Sequence, residues 1–441
     1  MIGPGAAEGI DFEAVETALR REAMRIAARA VERRLNADHS DHNRAWLPCA
    51  CGGQARYGGR RPKSFMTVLG ELRLVRAYYH CETCNSGFFP RDRALGMDES
   101  SLSPSVTRMM GLAAAMVSFE EAAVLLEQLA GVRGNAKQVE RTAEALGREI
   151  AQDERAHVEP FCGHDIAPTL YLGVDGTGVP VRRSELVDRQ GKQSDGSAKT
   201  REVKLCTVWS AEGRDKEGVP VRDEGSISYS AAIESAATRD TDKAPSQFAH
   251  RVMREAVRRG FDRVKRQVVL GDGAPWIWRL SGELFPEAIE IVDRFHAKQR
   301  LSEVSKAIFG VGTDLAKAWA RQRHDDLDEG RLDDLLCVLE GHALRCDEAR
   351  KCRDYFAENR NRMHYPAFHA QSLCTSTGVV EAGCKLAIGT RLKRAGMHWS
   401  VQGADAIIAL RCAILSGRFE DFWERRAERS TAGDALSYTA E

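Results

Sequence analysis

Hydrophobic and polar positions divide the chain into segments of different character, and the first segment is helical. From about residue 12 to 36 the apolar side chains recur at helical spacing, which predicts one amphipathic helix. These positions are Phe12, Val15, Leu19, Ile26 and Val31. The block that follows, CACGGQARYGGRRPKSFMTVLGELRLVRAYYHCETC, alternates with a period of two around Gly70. That pattern predicts a small β-rich module with a turn at the glycine.

A second helical region runs from about residue 103 to 150. SFEEAAVLLEQLAGV and GNAKQVERTAEALGREI predict two helices joined by a short glycine-bearing turn. This is a helix-turn-helix arrangement, which binds DNA in some proteins and only packs in others.

Continuous apolar runs typical of buried strands begin at residue 168. The predicted strands are YLGVDGTGVPV, VKLCTVWSA, RQVVLGDG and AIEIVDRFH. Between the first two lies SELVDRQGKQSDGSAKTR, a polar stretch predicted to be a mobile hairpin loop. Helices are predicted at 245–260, in APWIWRLSGELFP, throughout 297–370 and from Thr377 onward.

This order of elements predicts an α/β fold with a mixed five-stranded ribonuclease-H-like sheet and an all-α insertion. An N-terminal zinc ribbon and a helical DNA-binding region precede it. The expected domains are a helical arm (1–45), a zinc-ribbon-like module (46–95), a helix-turn-helix-like region (100–160), the first part of the catalytic core (165–296), the helical insertion (297–370), the final core helices (371–425) and a disordered tail (426–441).

Length and composition agree with several folded domains. The chain has 441 residues, more than one domain usually contains, and its hydrophobic fraction of 43% is ordinary for a globular protein. No apolar run is long enough to span a membrane, and the acidic N-terminus lacks the features of a secretory signal. We therefore expect a cytoplasmic protein, which the DNA partner inferred below would place at the nucleoid.

Four of the 12 cysteines form two closely spaced pairs. Cys49 and Cys51 form a CxC pair, and Cys81 and Cys84 form a CxxC pair. Four thiolates in two such pairs suit tetrahedral Zn²⁺, and a reducing cytosol disfavours disulfides. The sequence therefore predicts a structural zinc, since four protein ligands leave no open position for catalysis.

Three carboxylates fit a second kind of metal site. Asp175 in VDGTG and Asp272 in VLGDG follow apolar strand patterns, and Glu381 falls in the first two turns of a helix predicted to be capped by Ser376 or Thr377. Phosphoryl transfer on DNA uses two Mg²⁺ (or Mn²⁺) ions, which prefer carboxylate oxygens. These three residues are the predicted catalytic ligands.

A further motif, Asp293-x-x-His296, also follows a predicted strand. Asp293 either supports the metal site from a neighbouring strand or only hydrogen-bonds His296. The sequence leaves both interpretations open.

Overall charge does not indicate a nucleic-acid partner, because 64 basic residues balance 64 acidic ones. Local clusters of basic residues do, since they can neutralise phosphates. The candidate DNA contacts are Arg56, Arg60, Arg61, Lys63, Lys385, Arg391 and Lys393.

Taken together, VDGTGVP, REVKLCTVW, VLGDGAPWIW, IVDRFHAKQ and TSTGVVEAGCK resemble bacterial insertion-sequence transposases of the ISKra type, which are related to the mutator-like group. The N-terminal cysteine block resembles the same family, and the resemblance covers roughly residues 45 to 410. It implies a DDE transposase with Asp175, Asp272 and Glu381 as its triad and the Asp-x-x-His element as an accessory.

The partners that this resemblance implies are double-stranded DNA, as terminal inverted repeats and as target, and further copies of the chain in a homodimer or larger assembly. Two alternatives remain: a ribonuclease-H-like nuclease without strand transfer, and a non-catalytic DNA-binding regulator.

Overall fold

The computed structural model describes residues 11–98, 100–161, 166–187, 198–236 and 245–438. The chain divides into two compact units, one formed by residues 1–146 and 418–441 and the other by 147–417. Within the described ranges no helix is both long and apolar enough to cross a membrane.

The first unit is built on a long β-hairpin. Strands β1 (Trp46–Pro48), β2 (Gln54–Thr67), β3 (Gly70–Cys81) and β4 (Ser86–Phe88) form an antiparallel sheet in sequential order. Gly70 adopts a φ of 116° at the hairpin turn, a conformation that favours glycine. The period-two alternation that predicted this hairpin is confirmed.

Helices complete the first unit. They are α1 (Phe12–Ala37), α2 (Pro90–Ala94), α3 (Pro104–Met116), α4 (Phe119–Ala130), α5 (Ala136–Ala156), which spans the division between the units, and α16 (Phe419–Tyr438). A reciprocal capping box between Ser118 and Glu121 starts α4, and left-handed Gly131 ends it. The predicted helix pair is present. A disordered tail is predicted from residue 426, whereas α16 continues to Tyr438.

The second unit contains a mixed five-stranded sheet in the order β11-β10-β5-β6-β9. Its strands are β5 (Thr169–Pro180), β6 (Thr200–Trp209), β9 (Ser228–Ala232), β10 (Arg266–Gly271) and β11 (Ile289–Val292). β10 runs parallel to β5 and β11, while β6 is antiparallel to both of its neighbours. The sequence did not locate β9, because SYSAA offers only one large apolar residue. Two short strands, β7 (Gly213–Arg214) and β8 (Pro220–Val221), pair separately.

The second unit also contains helices, which pack on the sheet or lie within residues 297–370. They are α6 (Gln247–Arg259), α7 (Pro275–Leu284), α8 (Arg294–Phe309), α9 (Asp314–Asp328), α10 (Leu332–Ala343), α11 (Asp347–Glu358), α12 (Tyr365–Ala370), α13 (Gly378–Gly383), α14 (Thr390–Leu392) and α15 (Val401–Leu415). A π-helical segment, Cys384–Gly389, joins α13 to α14. The helical character of 297–370 is confirmed. Of the predicted polar loop, residues 188–197 lie outside the described residues.

Candidate functional site

Four thiols meet at one end of the β-hairpin in the first unit. Cys49 and Cys51 lie in the turn between β1 and β2, while Cys81 ends β3 and Cys84 lies in the turn to β4. The Cys49 and Cys84 sulfurs are 3.6 Å apart, as are those of Cys51 and Cys81, and all four lie within 4.8 Å of one another. The predicted grouping is therefore confirmed.

The thiol geometry fits a tetrahedral ion. With Zn–S bonds of about 2.3 Å, ligand sulfurs of a regular tetrahedron are about 3.8 Å apart. The Ser86 hydroxyl, 2.9 Å from the Cys84 sulfur, together with hydrogen bonds to the Cys51 and Cys49 thiols, lowers the pKa of the Cys84 thiol to about 6. A thiolate is the form that binds metal, so the cluster could hold a structural zinc.

Asp175 and Asp272 are neighbours on parallel strands of the second unit. The β5–β10 ladder pairs Gly173 with Leu270, and two residues further along each strand come Asp175 and Asp272. Adjacent strands lie about 4.8 Å apart, so the two residues occupy adjacent positions. Asp272 directly follows β10 as predicted, whereas Asp175 lies inside β5. That strand extends to Pro180 because it continues to pair with β6.

The electrostatics of Asp175 reflect this proximity. Burial raises the pKa of its carboxyl group, and the nearby negative charge of Asp272 raises it further, although a hydrogen bond from the Gly176 amide opposes both effects. The Cys384 thiol lies 3.4 Å from Asp175 Oδ2 and donates to it. A partly buried carboxylate beside another carboxylate is a site where a cation lowers the energy.

Glu381 is brought to this edge by close packing of its helix on the sheet. A Cβ at Gly173 would overlap Val380, and one at Gly383 would crowd Tyr229 and Leu205, so both glycines permit the close approach of α13. The Glu381 side chain remains 47% exposed, with Oε1 3.9 Å from Nδ1 of His296. The π-helical segment begins three residues later, and such segments frequently occur at functional sites.

Asp293 is buried, and both of its carboxylate oxygens are occupied. Oδ1 accepts a hydrogen bond of 2.7 Å from the His296 backbone amide at the start of α8. Oδ2 accepts from both the amide and the hydroxyl of Thr377, the latter at 2.6 Å. Thr377 is the N-cap residue of the Glu381 helix, but its hydroxyl does not cap that helix because it donates to Asp293. Asp293 therefore ties the start of α8 to the start of α13.

The carboxylates are spread more widely than the thiols. Among the described residues, only the cysteine cluster brings three or more possible ligand atoms within 4.8 Å of one another. A site for two ions about 3.5–4 Å apart needs its ligands distributed around both, so a wider spacing agrees with two ions better than with one.

Basic side chains of the second unit differ in their availability. Lys393 is exposed and its ammonium contacts the Thr177 hydroxyl, two residues from Asp175. Lys385 is exposed on the π-helical segment. Arg391 is fully buried, with its guanidinium 5.0 Å from the Trp399 ring centre. A guanidinium buried in this way does not reach a phosphate, so the prediction that Arg391 contacts DNA is not supported.

The basic residues of the hairpin also separate into two groups. Arg61 is exposed and stacks 3.6 Å above the centre of the Tyr78 ring, and Arg56 is exposed near Trp46. In contrast, Arg60 forms an ion pair with buried Asp41 at 3.0 Å. The Lys63 ammonium donates to the Ser100 carbonyl at 2.7 Å. Arg60 and Lys63 thus have internal partners, which disfavours their predicted role as phosphate contacts.

The sequence analysis missed two residues that contact the carboxylates. Cys384, which contacts Asp175, lies three positions after Glu381 at the start of the π-helical segment that continues from α13, and this helical spacing could have indicated it. Thr377 was considered only as a cap, and no local pattern reveals its bond to Asp293, 84 residues away.

Comparisons with known proteins give one family and a weak structural likeness. The model of the uncharacterised protein family UPF0236 matches residues 55–427. None of the curated proteins matches the chain. The Drosophila P element transposase strand transfer complex is similar at 10% identity and a TM-score of 0.26, covering 73% of this chain and 81% of that chain. A likeness this weak carries no argument about fold or function.

Proposed function

The chain belongs to the uncharacterised protein family UPF0236, and we propose that it is a DDE-type DNA transposase. In this proposal Asp175, Asp272 and Glu381 hold two Mg²⁺ or Mn²⁺ ions at one edge of a ribonuclease-H-like sheet. The strand order supports this fold, since three antiparallel strands, β5, β6 and β9, are extended on one side by two parallel strands. The ISKra-type motifs agree with it.

The observation that carries the proposal is the side-by-side position of Asp175 and Asp272 under the Glu381 helix. Two like charges at adjacent positions, one of them on a partly buried carboxylate whose pKa is raised by desolvation, are unfavourable without a compensating cation. The donor set is entirely hard oxygen, which Mg²⁺ and Mn²⁺ prefer. A protein that only binds DNA has no use for such a group, because carboxylates repel phosphates.

Each side chain has a distinct part in this mechanism. The ions, when bound, activate the attacking oxygen and stabilise the leaving oxygen of the phosphodiester. Asp175 and Asp272 anchor the ions from the sheet, and Glu381 completes the set from its helix. His296 lies beside Glu381, with Nδ1 3.9 Å from Oε1, and places an imidazole next to the proposed metal site. Lys393, next to Thr177, supplies a positive charge for the scissile strand.

Asp293 is assigned a positioning role rather than that of a metal ligand. Its oxygens already accept three hydrogen bonds from His296 and Thr377. Asp293 directly follows β11, and its contribution is to hold the N-terminus of the Glu381 helix at the end of that strand.

DNA is proposed to contact the first unit as well, through exposed Arg56 and Arg61 on the hairpin that the zinc site stabilises, and through the helix pair α4–α5. Terminal repeats and target DNA are the proposed ligands, bound by a dimer or larger assembly. The helical segment 297–370 is proposed to be an insertion within a catalytic core at 165–425.

Cleavage of DNA carrying the element's own ends tests the proposal. Asp175→Asn, Asp272→Asn and Glu381→Gln each keep the shape of the side chain but lose its charge, so each is expected to abolish Mg²⁺-dependent cleavage. Glu283→Gln, an exposed carboxylate on α7 of the same unit, is the matched control and should cleave at the parental rate.

Joining of the cut ends to a second DNA distinguishes the alternatives. A parental protein that cuts but never joins is a nuclease rather than a transposase. Cleavage at near-parental rate by any of the three variants removes that residue from the site. Salt-sensitive DNA binding with no cleavage in Mg²⁺ or Mn²⁺ contradicts the proposal and favours a regulator.

A further inference from the structure

The helical insertion makes a specific contact with the backbone at Asp272. Tyr355, on α11, donates a hydrogen bond of 2.9 Å from its hydroxyl to the Asp272 carbonyl oxygen. Its ring lies against Gly273, where a Cβ would overlap the ring atoms. Gly273 also has a φ of 92°, a region that L side chains rarely adopt. The peptide between Asp272 and Gly273 is therefore fixed by a residue 83 positions away.

Tyr355 is itself held rigidly. Its side chain is buried, and the Arg300 guanidinium of α8 lies 4.0 Å from the centre of its ring. An aromatic ring between a glycine and a guanidinium has little freedom to move.

A parallel contact holds the neighbouring strand. Tyr365, on α12, donates from its hydroxyl to the carbonyl of Val292, the last residue of β11, at 3.0 Å. Nearby, Arg362 pairs with Glu290 of the same strand at 2.5 Å. Residues 297–370 thus contact the ends of both strands at the edge where Asp272 lies, through two tyrosine hydroxyls that donate to backbone carbonyls.

We propose that Tyr355 is a positioning residue that sets the orientation of Asp272 for metal binding, so that the helical insertion controls the geometry of the metal site. This inference rests on the proposed function. The Asp272 carboxylate accepts a hydrogen bond of 2.9 Å from the Ala274 backbone amide. Both groups flank Gly273, whose backbone rotates at little steric cost, so the direction of the carboxylate also depends on what holds the peptide between Asp272 and Gly273. The Tyr355 hydroxyl supplies that restraint. Sub-ångström errors in ligand placement weaken sites whose supporting contacts are missing.

Mn²⁺ binding followed by electron paramagnetic resonance tests this inference without a DNA substrate. Tyr355→Phe keeps the ring but removes the hydroxyl, and we expect about a tenfold weaker Mn²⁺ affinity, the equivalent of one lost hydrogen bond. Tyr79→Phe is the matched control, because the Tyr79 hydroxyl donates to a backbone carbonyl, that of Arg44, at 2.7 Å in the other unit. It should bind Mn²⁺ with parental affinity.

Asp272→Asn distinguishes a failure of the proposed metal site from a failure of the proposed role of Tyr355. If the parental protein binds no Mn²⁺, or binds it equally well after Asp272→Asn, the proposed active site is wrong. If Asp272→Asn abolishes binding while Tyr355→Phe binds like the parent, the site stands and the positioning role is overturned. Equal weakening in Tyr355→Phe and Tyr79→Phe also overturns it. If Tyr355→Phe does not fold, Arg300→Gln replaces it in the test. This variant removes the guanidinium stacked on the Tyr355 ring, and we expect it to weaken Mn²⁺ binding as well.

Discussion

Replacing Asp293 by alanine should loosen the start of the Glu381 helix by a predictable amount. The carboxylate accepts three hydrogen bonds, a partly buried one from the amide of His296 and two buried ones from the amide and hydroxyl of Thr377. A hydrogen bond to a charged group contributes about 1.5–3 kcal/mol, and an unsatisfied buried donor costs about 1–3 kcal/mol. Because the three bonds share one acceptor, we take about 1 kcal/mol for each, or about 3 kcal/mol in total.

This loss should appear locally, at the segment that Asp293 holds. A local opening free energy reduced by about 3 kcal/mol raises amide exchange about a hundredfold, at about 1.36 kcal/mol per factor of ten. We expect that rise at Thr377 and in the first turn of α13. His296→Ala is the matched control, since the His296 amide remains and its side chain is 35% exposed. It should change exchange there by less than threefold.

Hydrogen–deuterium exchange mass spectrometry of peptides covering Ser376–Gly383 measures both effects. Thr377→Val adds a further check, because it removes only the hydroxyl and should cost about a third as much. When Thr377→Val is introduced into the Asp293→Ala protein, it should cause little further rise in exchange, because the acceptor of the hydroxyl is already gone. A double-mutant cycle measures this coupling. Equal exchange in Asp293→Ala and His296→Ala would refute the reasoning, since Asp293 would then act only through the imidazole.

Three further predictions follow from the remaining features. Elemental analysis should find about one zinc per chain. The zinc should be lost when Cys81→Ser and Cys84→Ser are combined but retained in Cys337→Ser, and zinc kept by the double variant contradicts the assignment. Arg61→Gln should reduce the slope of log affinity for DNA against log salt by about one, and an unchanged slope excludes it as a phosphate contact. Metal-free Asp175→Asn should melt above the parent at neutral pH. The reason is that burial raises the pKa of Asp175 in the folded protein above that of an aspartate in the unfolded chain. The parent therefore loses stability as the pH rises from the unfolded-state pKa through the folded-state pKa, whereas the asparagine variant does not. Melting curves in EDTA from pH 4 to pH 8 measure the difference, which should disappear at the acidic end; equal melting at pH 8 contradicts it.

Much of the secondary structure could be predicted from local pattern. The α1 helix, the glycine-turn hairpin and the strand containing VVLG were all predicted, because their apolar residues repeat with the period of the element they form. The cysteine cluster was predictable for a related reason, since two short-range pairs already bring thiols close together. The strand β9 was not located, since its burial depends on the neighbouring β6 rather than on its own residues.

The sequence by itself determined which residue types are available: four paired cysteines, carboxylates after apolar strands and an Asp-x-x-His element. Only the tertiary structure decided which of them meet. Arg391 and Arg60 look like free cations in the sequence, yet one is buried beside Trp399 and the other is paired with Asp41. Asp293 bonds to Thr377, and Tyr355 bonds to the backbone at Asp272, each across more than 80 residues of chain. Local periodicity reports only the face on which a residue lies, whereas a hydrogen-bond partner brought near by packing of distant elements leaves no trace in the neighbouring sequence.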